Sequence, residues 1–115
     1  MRFSLPHPPS INHYYRHVGG KVLISEEGRT YRKNVHAALF ELLPKHPLDG
    51  KLSVKIFWLP PDRRRRDCDN ILKASLDSMQ HAGLFRDDSQ IVRLVITKME
   101  PIENGRLLIK IHVRP

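Results

Sequence analysis

The sequence of 115 residues has little cysteine, little acid and no long apolar segment. It contains one cysteine, Cys68, and 12 acidic side chains against 20 lysines and arginines. A single cysteine cannot form an intrachain disulfide, which favours a reducing compartment. No apolar run approaches the roughly 20 residues that a membrane-spanning helix needs, and residues 1–10 lack the apolar core of a signal peptide. These absences predict a cytoplasmic protein with no membrane partner.

The excess of basic side chains gives a formal net charge of +8 at pH 7. Such a charge attracts polyanions, so nucleic acid is the expected class of partner. The length predicts one domain over residues 1–115, because the chain shows no repeat and no linker. In a domain this small, an active site must be built on the core elements themselves.

The hydrophobic pattern predicts an α+β domain, in which two main helices pack on a mixed or mostly antiparallel sheet. Short strands are predicted at 3–5 and 21–24, and residues 8–21 read as a long loop. Ser25 is predicted to cap a helix that runs toward Pro44, with Tyr31, Val35, Ala38, Leu39 and Leu42 at helical spacing. Residues 51–59 alternate as a strand, with Leu52, Val54, Ile56 and Trp58 on one face.

The second half of the chain predicts a helix followed by a C-terminal β-hairpin. The helix is expected from Asn70 to about Ala82, with Asp69 as its N-cap and Gly83 at its C-terminal end. Leu72, Leu76 and Met79 are its predicted inward side chains. Residues 90–100 and 106–113 flank Asn104-Gly105, a dipeptide that favours a two-residue type I′ turn between antiparallel strands.

Aspartates are concentrated in one part of the sequence. Six of the seven fall between residues 62 and 88, and the full set is Asp49, Asp62, Asp67, Asp69, Asp77, Asp87 and Asp88. In an extended segment, Asp67 and Asp69 would point the same way, about 6 to 7 Å apart, and could share one ion. Either Asp87 or Asp88 could return toward them after the second helix, and spacing leaves the choice open. Close carboxylates repel, so a Mg²⁺ or Mn²⁺ ion is the natural cation between them.

Basic residues lie next to this acidic pair. Arg63, Arg64, Arg65 and Arg66 directly precede Asp67, and guanidinium groups bind phosphate in a bidentate manner. Lys73 follows Asp69 by four residues, one helical turn along the same face. Its ammonium could pair with an aspartate in the free protein and stabilise the charge that develops on a phosphate during cleavage. Together these residue types indicate metal-dependent hydrolysis of a phosphodiester.

Each motif also has a simpler interpretation. The aspartates could cap and order the loop, the arginines could form a solvated patch, and Asp77 reads as a surface residue. Cys68, between two outward aspartates, is expected to pack into the core. Tyr14, Tyr15 and Arg16 could contact nucleic acid or could simply anchor their loop. The alternative function is therefore a non-catalytic nucleic-acid-binding module.

One long block, "PDRRRRDCDNILKASLDSM...AGLFRDDSQI", resembles the signature of the RusA-type Holliday-junction resolvases. The N-terminal "LPHPPSINHYYRH" is also similar to the start of that family. By this resemblance, the essential carboxylates fall on Asp67, Asp69 and Asp88, the essential lysine falls on Lys73, and Arg66 matches an arginine that binds DNA. The main departure is Cys68, where the family usually has leucine.

The resemblance implies a homodimeric, Mg²⁺-dependent endonuclease for which Mn²⁺ substitutes. Such an enzyme nicks two opposing strands of a four-way DNA junction symmetrically, beside CC dinucleotides, in DNA recombination and repair. Two matched cuts in a two-fold symmetric substrate fit a two-fold symmetric dimer. The basic run, with Asn12, Tyr14, Tyr15 and Arg16, would hold the branched DNA.

Overall fold

In a computed structural model covering residues 1–115, the chain forms a four-stranded mixed sheet with helices on one face, and a separate two-stranded hairpin. The strands are β1 (Arg2–Leu5), β2 (Tyr15–Val18), β3 (Lys21–Ile24), β4 (Leu52–Leu59), β5 (Ile91–Lys98) and β6 (Arg106–Val113). The helices are α1 (Ile11–Tyr14), α2 (Glu26–Leu39) and α3 (Leu72–His81), and 3₁₀ turns span Cys68–Ile71 and Asp88–Gln90. The predicted α+β class, mixed sheet and two main helices are confirmed. None of the helices combines the length and apolarity needed to cross a membrane.

Strand β4 is the centre of the sheet, whose order is β1-β6-β4-β5. It pairs antiparallel with β6 and parallel with β5, so α3 is the crossover between two parallel strands. The four predicted core residues of β4, Leu52, Val54, Ile56 and Trp58, are all buried beneath the helices. This burial fixes which face of β4 points inward, and the pairing of β4 with β5 and β6 defines the two ends of the sheet from which the polar connections emerge.

The predicted loop at residues 8–21 is wrong in part, because much of this segment is ordered. Residues 11–14 form α1, and β2 pairs antiparallel with β3 around Gly19 and Gly20. Both glycines have positive φ angles, 54° and 78°, which side-chain-bearing residues rarely adopt. Glycine here makes a hairpin turn, whereas composition alone suggested irregular structure.

The C-terminal strands are antiparallel as expected, but they do not pair with each other. β4 lies between β5 and β6, and the connection runs over residues 99–105 across the end of β4. Its reversal is closed by a hydrogen bond from Gly105 N–H to the Ile102 carbonyl, at 3.0 Å. Asn104 and Gly105 have positive φ angles, 67° and 65°, as the dipeptide favours. The predicted two-residue turn is therefore corrected to a longer crossover.

Helix α2 begins where the sequence predicts but ends earlier, and α3 begins later than predicted. Ser25 caps α2 as predicted, since its hydroxyl accepts a hydrogen bond from Gly28 N–H at 2.9 Å. The helix ends at Leu39, and Ala38 and Leu42 are exposed. Pro44 disfavours helical geometry in the preceding turn, so the chain leaves the helix before reaching it. Asp69 is not an N-cap, because a 3₁₀ turn precedes α3.

Gly28 allows α1 to approach α2 closely. A Cβ atom at this position would lie 2.5 Å from the Tyr14 carbonyl oxygen and 2.9 Å from Ile24 Cγ2. The same carbonyl accepts a hydrogen bond from the Ser25 backbone N–H at 3.0 Å, so it cannot retreat without losing that bond. Gly28 is thus required by packing, even though glycine disfavours helix.

We predict that Gly28→Ala destabilises the fold by about 1–3 kcal/mol, because overpacking outweighs the roughly 1 kcal/mol that alanine gains in helix propensity. Urea unfolding measures the difference. Asn34→Ala, at an exposed position of the same helix, is the control and should be neutral or slightly stabilising. If both variants gained the same free energy of unfolding, Gly28 would not be tightly packed.

Candidate active site

Asp67 and Asp69 lie in the connection between the end of β4 and the start of α3. Asp67 is extended, with φ −90° and ψ 147°, and its carbonyl accepts a hydrogen bond from Asn70 N–H at 3.1 Å as the 3₁₀ turn begins. Both aspartates are exposed, and no ion pair forms at either carboxylate. They are therefore accessible acids without a protein cation to neutralise them.

The turn also changes the orientation expected for Cys68. Strand-like alternation predicted that this side chain would point into the core, opposite the two aspartates. Residues 68–71 instead wind into the 3₁₀ turn, and Cys68 is exposed. The predicted packing role of Cys68 is wrong, and the strand spacing expected for Asp67 and Asp69 does not apply.

The structure distinguishes Asp87 from Asp88, which spacing could not do. Asp87 caps the second 3₁₀ turn: its carboxylate accepts Ser89 N–H at 2.8 Å, while the Gln90 side chain accepts Asp87 N–H at 2.9 Å. The hydrogen bonds from Ser89 hold the pKa of Asp87 below its usual value. Asp88 takes no part in this capping box, and its backbone N–H donates to Gln80 Oε1 at 3.0 Å. The Asp87 carboxylate is therefore the cap of this turn, and that of Asp88 is not.

The turn that carries Asp88 is held firmly against the rest of the chain. The Gln90 amide donates to the carbonyls of Leu48 and Gly50, at 3.0 and 2.9 Å. Because Ile91 is in register with Leu52, this turn lies at the beginning of β4. Asp67 and Asp69 follow the opposite end of the same strand.

Asp67 and Asp69 are thus separated from Asp88 within one chain. They precede α3 and Asp88 follows it, and ten helical residues span about 15 Å. No group of three or more histidine, cysteine, aspartate or glutamate side chains lies close enough to hold a metal ion. The chemistry of Asp67 and Asp69 suits a hard divalent cation, which often uses only one or two carboxylates. One chain does not, however, form a three-carboxylate site.

Lys73 lies in the first turn of α3, exposed and without an ion-pair partner. Asp77 follows one turn later, and the positive charge of Lys73 is among the causes that lower the pKa of Asp77. Lys73 therefore extends from the helix end nearest Asp69 with its ammonium available to an anion.

The four arginines differ in how strongly they are tied to the protein. Arg66 forms a two-pronged ion pair with Asp62, with Nη–Oδ distances of 2.5 and 3.2 Å. This pair, together with the backbone N–H of Arg64, lowers the pKa of Asp62 to about 2. Arg63 makes an exposed contact with Glu100 at 3.2 Å, and Arg65 makes no ion pair. Arg63 and Arg65 are consequently the arginines most able to turn toward a phosphate.

The segment at residues 10–20 has both buried and accessible members. Tyr14 is fully buried, so the prediction that it contacts DNA is wrong and the anchoring alternative applies. Tyr15 is half-buried and packs edge-on against Tyr14, with ring centroids 5.0 Å apart. Asn12 and Arg16 are exposed. Ile11 N–H donates to Asn70 Oδ1 at 3.4 Å, which places this segment beside the turn that carries Asp69.

Sequence reasoning missed a polar cluster that joins α1, α2 and α3. The Tyr14 hydroxyl donates to the Asp77 carboxylate, and Arg32 Nη2 pairs with the same oxygen at 2.7 Å. Arg32 Nε also donates to the Tyr14 hydroxyl at 2.9 Å. Asp77 is therefore no simple surface residue. A lone aspartate at a helix position gave no signal for this, because its two partners come from distant parts of the chain.

The cluster sets the protonation state of Asp77. Burial alone would raise the pKa of this carboxyl, but the hydrogen bonds from Tyr14 and Arg32 outweigh burial and bring the pKa below its usual value. Burial raises the pKa of Tyr14, so the phenol stays a hydrogen-bond donor at neutral pH. The charged carboxylate thus ties α1 and α2 to α3 close to the segment that carries Lys73.

Comparison with known proteins identifies the family of the chain. The family model described as endodeoxyribonuclease RusA matches residues 6–112. The crossover junction endodeoxyribonuclease RusA of Enterobacteria phage HK97 is 42% identical over 110 residues, covering 96% of this chain and 92% of the relative. The protein of the same name from Escherichia coli strain K12 is 41% identical over 104 residues, covering 90% and 87%.

We predict that Asp77→Asn destabilises the fold at neutral pH by about 1–3 kcal/mol, because it leaves Arg32 half-buried without its counter-charge. The folded pKa of Asp77 lies below the unfolded value near 4. The ion pair therefore stabilises the fold above that value, and this stabilisation is lost as the pH falls through the folded pKa. The difference in free energy of unfolding between wild type and variant, measured with urea, should be smaller at pH 3 than at neutral pH. The control is Glu41→Gln, which also removes one negative charge but at an exposed position. If the difference in free energy of unfolding between wild type and Asp77→Asn did not depend on pH, the assignment would be contradicted.

Proposed function

Because the chain belongs to the RusA endodeoxyribonuclease family, we propose that it cleaves four-way DNA junctions by paired symmetric nicks. The observation that carries this proposal is the accessible, unneutralised pair Asp67 and Asp69 beside the arginine run, in a chain of net charge +8. Free carboxylates repel DNA phosphates unless a cation lies between them. A module that only bound DNA would gain nothing from two such acids at its most basic segment.

Mg²⁺ is the cation that these carboxylates suit best, with Mn²⁺ as a substitute, and when bound it would supply a nucleophilic water and neutralise developing charge. Asp67 and Asp69 would hold it. Lys73 would place its ammonium near the scissile phosphate and stabilise the negative charge of the transition state. Arg63 and Arg65 would bind flanking phosphates, while Arg66, fixed by Asp62, would present its remaining N–H donors in a constant direction.

A homodimer would supply what one chain lacks, since Asp88 lies too far away to join Asp67 and Asp69. The edge strand β5 begins directly after the Asp88 turn, and its last residue, Lys98, donates to the Arg66 carbonyl next to Asp67. Two β5 strands related by a two-fold axis would run antiparallel. The beginning of one would then meet the end of the other.

This arrangement would bring Asp88 of the partner subunit toward Asp67 and Asp69, and would do so twice. β5 has an unpaired edge, and two of its apolar side chains remain exposed, Val92 by 52% and Leu94 by 37%. Open apolar edges favour strand pairing with another copy. Two shared sites would match the two cuts that a symmetric junction requires.

We predict that Asp69→Asn abolishes Mg²⁺-dependent nicking of a four-way junction but leaves junction binding within about two-fold, because the basic residues are untouched. Gel-based cleavage and binding assays measure the two effects. Glu41→Gln, which removes an exposed acid outside the proposed site, should cut normally. Full cleavage by Asp69→Asn would refute the assigned role.

Shared sites make a further prediction for mixed dimers. Asp69→Asn and Asp88→Asn should each be inactive alone. When the two variants are refolded together, one site of each mixed dimer receives Asp67 and Asp69 from one subunit and Asp88 from the other, and nicking of one strand should return. If both sites were built within single chains, every site in the mixed dimer would carry a substitution. Continued inactivity of verified mixed dimers would therefore exclude the shared site.

A further inference from the structure

The sheet face that turns away from the helices is open and basic. Strand alternation places on it the side chains that oppose the buried row of β4. Its basic residues are Arg2, Lys55, Arg93, Arg106, Lys110 and His112. All six are exposed. None of the four strands contains an aspartate or a glutamate. We call these six residues the basic sheet face.

Three of these cations stand in direct register across three adjacent strands. Arg2 pairs with Lys110, and Lys110 pairs with Lys55. Residues directly opposite in a sheet have Cβ atoms about 5 Å apart, and like charges in such positions destabilise the sheet. None of the three takes part in an ion pair. The row therefore costs stability in the isolated chain and is suited to an anion that spans several strands.

We infer that the basic sheet face binds the phosphate backbone of a DNA arm, at a distance from the cleavage site. This inference rests on the proposed function, because that function makes DNA the partner. Regularly spaced cations on a flat surface suit successive phosphates and carry no base readout. A second copy of the chain would not fit here, because a two-fold contact sets a surface against itself and would oppose cation to cation.

The surface also lies away from the residues proposed for catalysis. Its side chains leave the sheet on the side opposite the helices, whereas Lys73 is on α3. It therefore contributes to holding a branched substrate, and the rate of the chemical step should not depend on it. A junction, whose arms extend in several directions, offers phosphates to more than one side of a small protein.

The test is the double variant Lys55→Gln/Lys110→Gln, compared with Lys33→Gln/Lys45→Gln, which removes equal charge from exposed positions off the sheet. Affinity for a labelled four-way junction is measured over a range of salt concentrations. The sheet variant should bind about tenfold more weakly, and the slope of log affinity against log salt should fall by about two, because two phosphate contacts are lost. Its single-turnover nicking rate at saturating protein should equal that of the wild type.

The inference would be overturned if the sheet variant had the same junction affinity and the same salt slope as the Lys33→Gln/Lys45→Gln control. A wild type that neither binds nor nicks junctions would instead refute the proposed function, so the two failures are distinguishable. Loss of a dimer in the sheet variant, measured by light scattering, would also overturn the inference by showing that this face contacts another copy. Thermal unfolding should show the variant at least as stable as the wild type.

If the double variant does not fold, the single variant Arg2→Gln tests the same surface from its edge strand β1. Weaker junction binding with an unchanged nicking rate at saturation supports the inference. Unchanged binding overturns it.

Discussion

The fold depends on the burial of one face of β4 between its two neighbouring strands and the helices. Leu52, Val54, Ile56 and Trp58 are each at most 2% exposed, so β4 cannot shift register by one residue without exposing this row to water. The direction of β4 is set by its pairing, parallel with β5 and antiparallel with β6. Its direction then dictates the polar connections. The arginines, Asp67 and Asp69 follow its end, whereas the Asp88 turn is tied by Gln90 to the residues before its beginning. The separation of the acids is therefore a property of the core.

The aspartates of the chain fall into two groups, those that take part in interactions within the fold and those that make no ion pair. Asp62, Asp77 and Asp87 each accept hydrogen bonds from nearby groups, and their pKa values are lowered accordingly. Asp67 and Asp69 make no ion pair. Accessible carboxylates without an ion-pair partner in a strongly basic protein suit the external cation and the anionic substrate that we propose. The family to which the chain belongs agrees with this explanation.

Local patterns predicted the elements well and their long-range relations poorly. Alternation identified β4, and the Ser25 cap with its helical spacing identified α2, because these signals act within a few residues. The insertion of β4 between the last two strands could not be read from the Asn104-Gly105 turn, which reports only the local backbone. Likewise, Asp77 was predicted to be a surface residue and the role of Tyr14 was left open, because only the fold brings Tyr14, Asp77 and Arg32 together. Of the site, the residue types and the accessible pair were predictable, but the distance to Asp88 depends on the crossover through α3.

The most direct test of junction cleavage is to incubate the purified protein with a labelled four-way junction and with a linear duplex of matched sequence, in Mg²⁺ or in EDTA. Paired symmetric nicks in the junction alone, and only with Mg²⁺, are the predicted result. Tight junction binding without any nick under either condition would contradict the account and leave a DNA-binding module in its place.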